Sequence, residues 1–183
     1  MSEKMIVEQC SPTLAGMKTG SVFHCSYENE AELHSEISRF NGVLIPKGLR
    51  MLPLKKDGRR ALIYVYRPTQ LEKDVNESSA IDILKSYGYS SGCESSLVAR
   101  LRERLCESEC FPHEIGLFLG YPPEDVKGFI DNKAASCKCC GYWKVYGDEK
   151  KAGKTFDKFR KCTKVYCGCY EKSACFHKLI VGQ

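Results

Sequence analysis

A chain of 183 residues that is 43% hydrophobic and 28% charged has an ordinary globular balance, which excludes a disordered chain and leaves enough length to bury a core. No apolar run approaches the ~20 residues needed to cross a bilayer. The opening MSEKMIVEQCSPTLAG lacks the basic and apolar regions of a signal peptide, so the expectation is a cytoplasmic protein with no membrane partner.

Taken in chain order, residues 12–25, PTLAGMKTGSVFHC, read as a short helical turn followed by a brief strand around Val22-Phe23. Residues 28–41 place Ala31, Leu33, Ile37 and Phe40 at near-helical spacing behind a run of acids, which suits the positive end of a helix. LRMLPLKK and ALIYVYR, joined at Lys56-Asp57-Gly58, predict a β-hairpin. The second of these is apolar or aromatic on both faces, as a central strand requires. Pro53 has no N–H for the ladder and so places the first at an edge or a bulge.

From Pro68 to about Ser108 the pattern is helical, with Leu97, Leu101 and Leu105 four residues apart and arginines on the far side. FPHEIGLFLGYPPEDVKGF, residues 111–129, predicts two short helices broken at Gly-Tyr-Pro-Pro, with Glu114 and Asp125 at helix starts. A strand through Tyr142–Tyr146, a basic helix over 148–166 and a closing strand in ACFHKLIV complete the chain. This order predicts an α/β (or α+β) fold in which a single mixed sheet of about four to five strands is flanked by helices. The whole of 1–183 reads as a single globular domain, and its last part, 133–183, is basic and cysteine-rich. Those residues hold 12 Lys and Arg against 4 Asp and Glu, whereas 1–132 hold 16 against 19.

Five blocks, CSPTLAGMKTG, ALIYVYRP, FPHEIGLFLGYPPEDVKGF, GYWKVYGD and FRKCTKVY, stand in an order that resembles a clostridial family, domain-of-unknown-function family 3793. The resemblance covers nearly the whole chain. It implies a single-domain bacterial protein of anaerobes and no established activity.

Three groups of residues carry chemistry. His113 is the candidate acid/base residue, since imidazole changes charge near neutral pH. Neighbours on a helix point about 100° apart, so Glu114 is not its partner in a dyad. Thr13, Lys18, Arg67, Lys144 and Tyr146 form a polar set at strand ends and loops, where open α/β sheets place ligands. With His113 they would surround a small anionic or aromatic ligand, with Tyr64, Tyr66 or Trp143 stacking on a flat one; the plainer alternative is long side chains lying over a sheet with their charged ends in water.

Twelve cysteines form the next group. Cys137, Cys140, Cys162 and Cys169 are the best candidates for a zinc or iron–sulfur site, although two Cys-x2-Cys pairs, the strong signal, are not present. Scattered thiols in a reducing compartment are the competing reading. The basic helix is the last feature. Its plainer reading is a solvated helix face and the alternative is docking of an acidic protein; nucleic acid is disfavoured because Phe156 and Phe159 turn to its buried side.

No Gly-x-Gly-x-x-Gly, Walker, His-Glu-x-x-His or Gly-x-Ser-x-Gly motif is present, so an enzyme activity has no motif support. The leading expectation is a ligand-binding protein with a polar cleft. Metal or thiol-redox chemistry and protein docking through the basic helix are the alternatives.

Overall fold

β-Branched and aromatic side chains on both faces of residues 61–66 call for cover on both sides, and the computed structural model gives that run a central place. It describes residues 1–90, 92–107, 111–173 and 175–182; Ser108, the end of the expected helical stretch, and Ala174 and Cys110 lie outside them. Internal packing divides the chain into two units, Met1–Thr69 with Phe159–Gln183, and Gln70–Lys158.

In the first unit, α1 (Glu3–Leu14) is followed by β1 (Gly20–Ser26), α2 (Glu30–Leu44), β2 (Arg50–Asp57) and β3 (Arg60–Tyr66). The three strands form an antiparallel sheet in the order β1-β3-β2, and every residue from Ala61 to Tyr66 is buried. The β2–β3 turn passes through Gly58 at φ +56°, a conformation that favours glycine. Pro53 lies in the outer strand β2, and the register shifts between it and Lys55, as a residue without an N–H demands.

Two side-chain caps start the helices: Ser2 accepts the Met5 N–H at 3.2 Å, and Asn29 accepts that of Glu32 at 2.9 Å. Ile6, Cys10 and Leu14 of α1, four residues apart, join Ile63 and Val65 of β3 and Leu33, Phe40 and Leu44 of α2 in one core. Each such leucine or phenylalanine contributes about 1.5–3 kcal/mol by leaving water. Phe176 and Ile180 enter the same core, Phe176 edge-on to Phe40 at 5.8 Å.

The second unit takes up α3 (Pro68–Val75) after its first two residues, then α4 (Ser78–Ser86), α5 (Glu94–Glu107), the single turn α6 (Ile115–Phe118) and α7 (Pro123–Asp131). β4 (Cys139–Cys140) and β5 (Lys144–Val145) pair as a separate two-stranded ribbon, and α8 (Glu149–Ser173) carries the chain back into the first unit. α4, α6 and β5 all pack on α7.

The expected single mixed sheet of four to five strands is therefore not formed: the described residues hold a three-stranded antiparallel sheet and a two-stranded ribbon with eight α-helices. Two local causes account for this. The strand expected through Tyr146 stops at Val145 because the next two backbone N–H groups, of Tyr146 and Gly147, both go to the Asp125 carboxylate. The closing strand is instead a short 3-10 turn, Phe176–Leu179; its buried Phe176 and the buried Ile180 just past its end are four apart rather than two. The short helical turn expected at the start of residues 12–25 is the end of a full helix, Glu3–Leu14, which accommodates Pro12 in its last turn. No helix among the described residues is long and apolar enough to cross a membrane.

Candidate functional site

Gly116 makes the corner between α6 and α7 possible. A Cβ there would stand 2.7 Å from Val126 Cγ2 and 3.2 Å from Tyr121 Cδ2, so only glycine lets α7 and Tyr121 come this close. Gly120, at φ +74°, reverses the chain between the two helices, and Pro122-Pro123 starts α7.

Two buried carboxylates brace this corner, neither as the simple helix cap its position predicts. Glu114 Oε1 accepts hydrogen bonds from Arg104 Nε and, at 3.1 Å, from the Tyr89 hydroxyl; Oε2 is buried without a hydrogen-bond partner among the described residues. Arg104 is thus turned inward, away from the solvent face expected for the α5 arginines. Burial, reinforced by the Glu114 carboxylate, pushes the Tyr89 phenol far up, so it stays a donor. Asp125 serves the chain twenty residues on: Oδ1 accepts the N–H groups of Tyr146 and Gly147, each at 2.7 Å, and Oδ2 accepts Trp143 Nε1 at 2.7 Å.

The indole is then fixed on three sides. Its N–H is held by Asp125, its face lies against Tyr121 at 4.9 Å with 29° between planes, and Phe156 meets it edge-on at 4.5 Å. Burial pushes the Tyr121 phenol up to about 12.

Between α6, α7 and this indole lies a cleft of about 260 Å³. Phe111, Tyr121, Phe129 and Trp143 supply ring walls, and Ile115, Leu119 and Val126 supply aliphatic ones. The polar lining comes from His113, Lys144 and Asp125. The His113 ring stands edge-on to Phe129 at 4.9 Å, and the Lys144 ammonium lies 5.9 Å from the centre of the same phenyl ring. Among the described residues Lys144 donates one hydrogen bond, to Ala134 O at 2.6 Å, which leaves two of its three N–H groups for another acceptor.

That bond has a structural consequence. Lys133, Ala134 and Ser136 all adopt positive φ, at +47°, +65° and +57°, which costs non-glycine residues about 1–2 kcal/mol each. Lys144 on Ala134 O and the Tyr146 hydroxyl on Ala135 O, at 3.0 Å, hold this strained segment in place.

A family model described as a protein of unknown function, DUF3793, matches residues 6–180. The chain belongs to this family. No curated protein and no solved structure gives a significant match.

In this DUF3793 chain the residues singled out from the sequence fall into both units. His113 and Lys144 meet at the cleft; Tyr146, next but one to Lys144, braces the 133–136 segment instead. Thr13, Lys18 and Arg67 belong to the first unit. There Arg67 is buried, and its guanidinium donates to three carbonyls: Nε to Thr13 at 2.8 Å, and Nη2 to Leu14 at 2.9 Å and Val181 at 2.8 Å. Burial lowers its pKa, but its fork is engaged by backbone rather than by ligand. The Thr13 hydroxyl is hydrogen-bonded to that of Ser21 at 2.9 Å. Burial pushes the Lys18 ammonium down to about 8 and the neighbouring Cys10 thiol up to about 12, and each charge partly offsets the shift of the other.

The four proposed metal cysteines are likewise divided, Cys137 and Cys140 in the second unit and Cys162 and Cys169 in the first. Among the described residues no three His, Cys, Asp or Glu side chains are grouped to hold a metal ion. Cys162 is buried, and burial pushes its thiol up, away from the thiolate a metal needs. Trp143, expected to stack on a flat ligand, lines the cleft, whereas Tyr64 and Tyr66, named with it, are buried in the first unit; the other ring walls, Gly116 and the bridging role of Asp125 were not singled out from the sequence as parts of a site. The available signals were Gly-Tyr-Pro-Pro between two apolar runs and the single tryptophan of the chain.

Proposed function

We propose that this DUF3793 chain binds a small ligand with a flat apolar body and an anionic head in the cleft lined by residues 111–144. The observation that carries the reading is the convergence of His113 and Lys144 on one phenyl ring of an otherwise aromatic and aliphatic cleft. Ring walls favour a planar body by stacking and edge contacts. A volume of about 260 Å³ limits that body to one or two rings, since ligand pockets run from about 300 Å³ upward.

Charge selects the head group. The Asp125 carboxylate is covered by three N–H donors, while Lys144 keeps two donors to offer. An apolar surround strengthens the attraction of that ammonium for an anion, because little water screens it. His113 is the side chain of the cleft able both to give and to accept a proton, so chemistry on a bound ligand would pass through it.

Trp143, the single tryptophan, makes the test direct. Its emission is followed while 3-phenylpropionate, the corresponding amide and phenyltrimethylammonium are added in turn. The acid is expected to give a saturable change, the amide to bind about tenfold more weakly, and Lys144→Met to bring the acid down to the amide, a loss of about 1.4 kcal/mol. Tighter binding of the ammonium probe, or no saturable change with the acid, overturns the proposal.

A further inference from the structure

We propose that the exposed face of α8 docks an acidic α-helix of a partner protein. Ala152, Phe156, Phe159 and Cys162 are buried, so packing takes up one side of α8. On the opposite side Lys150, Lys154, Lys158, Lys161, Val165 and Lys172 follow one another at intervals of three, four or seven residues, which keeps them in one row. Lys164 stands at its edge. All six lysines are exposed, and none makes a hydrogen bond or ion pair through its side chain among the described residues.

Four other helices treat their exposed cations differently. Lys4 pairs with Glu8 at 4.0 Å on α1, and Arg39 with Glu36 at 3.0 Å on α2. Arg100 pairs with Glu103 at 3.0 Å on α5, and Lys127 with Asp131 at 2.8 Å on α7. Each of these acids stands three or four residues away, where helical side chains meet. In α8 those positions hold further lysines: Lys150 and Lys154, and Lys154 and Lys158, are four apart, and Lys161 and Lys164 are three apart. Like charges at this spacing destabilise a helix that stands by itself. Carboxylates supplied from outside convert that repulsion into attraction.

The rest of the face selects a protein over a nucleic acid or a lipid surface. Four residues at a rise of 1.5 Å set successive lysines about 6 Å apart along the helix. Glutamates at every fourth residue of a facing helix have the same spacing. Asp157 stands in the same row and is exposed. It opposes a phosphate running along the face, whereas a protein can set a lysine or arginine against it. The rings of α8, Phe156, Phe159, Tyr166 and Tyr170, are buried or half-buried, which leaves bases without a stacking platform on this face. Val165, 51% exposed, is too little apolar surface to enter a bilayer but suits a contact between two helices. None of these residues lines the cleft, so the docking face stands apart from the ligand reading.

The test compares three probes at equal salt: a fluorescein-labelled helical peptide of Glu-Ala-Ala-Ala repeats, a labelled DNA duplex and phosphatidylserine vesicles. Anisotropy follows the first two, and co-sedimentation the third. The peptide is expected to bind saturably, to weaken as salt rises, and to bind at least about tenfold more tightly than the duplex or the vesicles. Lys154→Gln combined with Lys161→Gln should cost at least about tenfold in peptide affinity. Both side chains are exposed, so the urea midpoint should not fall. Lys4→Gln, whose cation is already paired with Glu8, should bind the peptide as wild type does. No saturable binding of the peptide, duplex or vesicles held as tightly as the peptide, or unchanged affinity in the double variant overturns the proposal.

Discussion

Arg67 in the first unit and Asp125 in the second are both buried charges satisfied by three neutral dipoles, and they serve different ends. Arg67 gathers the carbonyls of Thr13, Leu14 and Val181, tying the end of α1 and the C-terminal tail to the first residue beyond β3. Asp125 gathers two backbone N–H groups and the Trp143 indole, so it fixes one wall of a cleft. The lesson is that a charged side chain next to a strand or helix end announces a demand for partners, not the identity of the partner. Backbone met that demand in both places, and in the second the result borders a cleft.

Replacing each hub tests this difference. Asp125→Ala should have the largest effect, because it strands three half-buried donors at once: about 3 kcal/mol in urea unfolding, with a red-shifted Trp143 emission and lost binding of 3-phenylpropionate. Arg67→Met removes the three donors to carbonyls while keeping bulk, and should cost about 2 kcal/mol. Its cleft should still bind the acid with unchanged affinity. Equal loss of ligand binding in both variants would erase the distinction between the hubs. Gly116→Ala comes next, with an expected cost of about 1–3 kcal/mol from overpacking against Val126 and Tyr121, together with weaker ligand binding.

The smallest effect concerns pH. Folding lowers Lys18 from 10.5 to about 8, so between those values the unfolded chain binds more protons at this site than the folded one, and stability contributed there rises with pH. Cys10 acts oppositely. Raised from 9.0 to about 12, it makes the folded state hold the extra proton, and its contribution falls as pH climbs from 9 towards 12. The stability of wild type relative to Lys18→Met should therefore increase from pH 8 to 10, measured by urea unfolding at each pH. A decrease would contradict the assigned direction.

Much of the first unit was legible in the sequence because its signals are local. Alternation, Asp57-Gly58 and Pro53 together define the β2–β3 hairpin and its irregular edge, and the buried spacing of Leu33 and Phe40 defines α2. α1 was missed because Ser11-Pro12-Thr13 reads as a break, whereas the Ile6, Cys10 and Leu14 stripe carries the helix through it. The sheet was overcounted for a non-local reason: the strand expected at 142–146 loses its ladder donors to Asp125, 21 and 22 positions earlier.

Within the candidate site, His113 and Lys144 were legible as side-chain types able to meet an anion. Arg67 looked equivalent to them, since nothing near it in sequence reveals carbonyls 53, 54 and 114 positions away. Apart from Trp143, the aromatic lining was hidden for the same reason. Phe111, Tyr121, Phe129 and Trp143 come from four segments and become one surface only after α6 has turned on Gly116.

The cleft is the central claim, and mapping ligand-induced changes residue by residue tests it most directly. In amide and indole N–H spectra of the ¹⁵N-labelled chain, 3-phenylpropionate should shift the Trp143 indole first, with the amides of Gly116, Val126, Phe129 and Lys144, and leave those of Thr13, Arg67 and Val181 in place. Shifts concentrated on Thr13, Arg67 and Val181, with the Trp143 indole unmoved at saturation, would contradict the account.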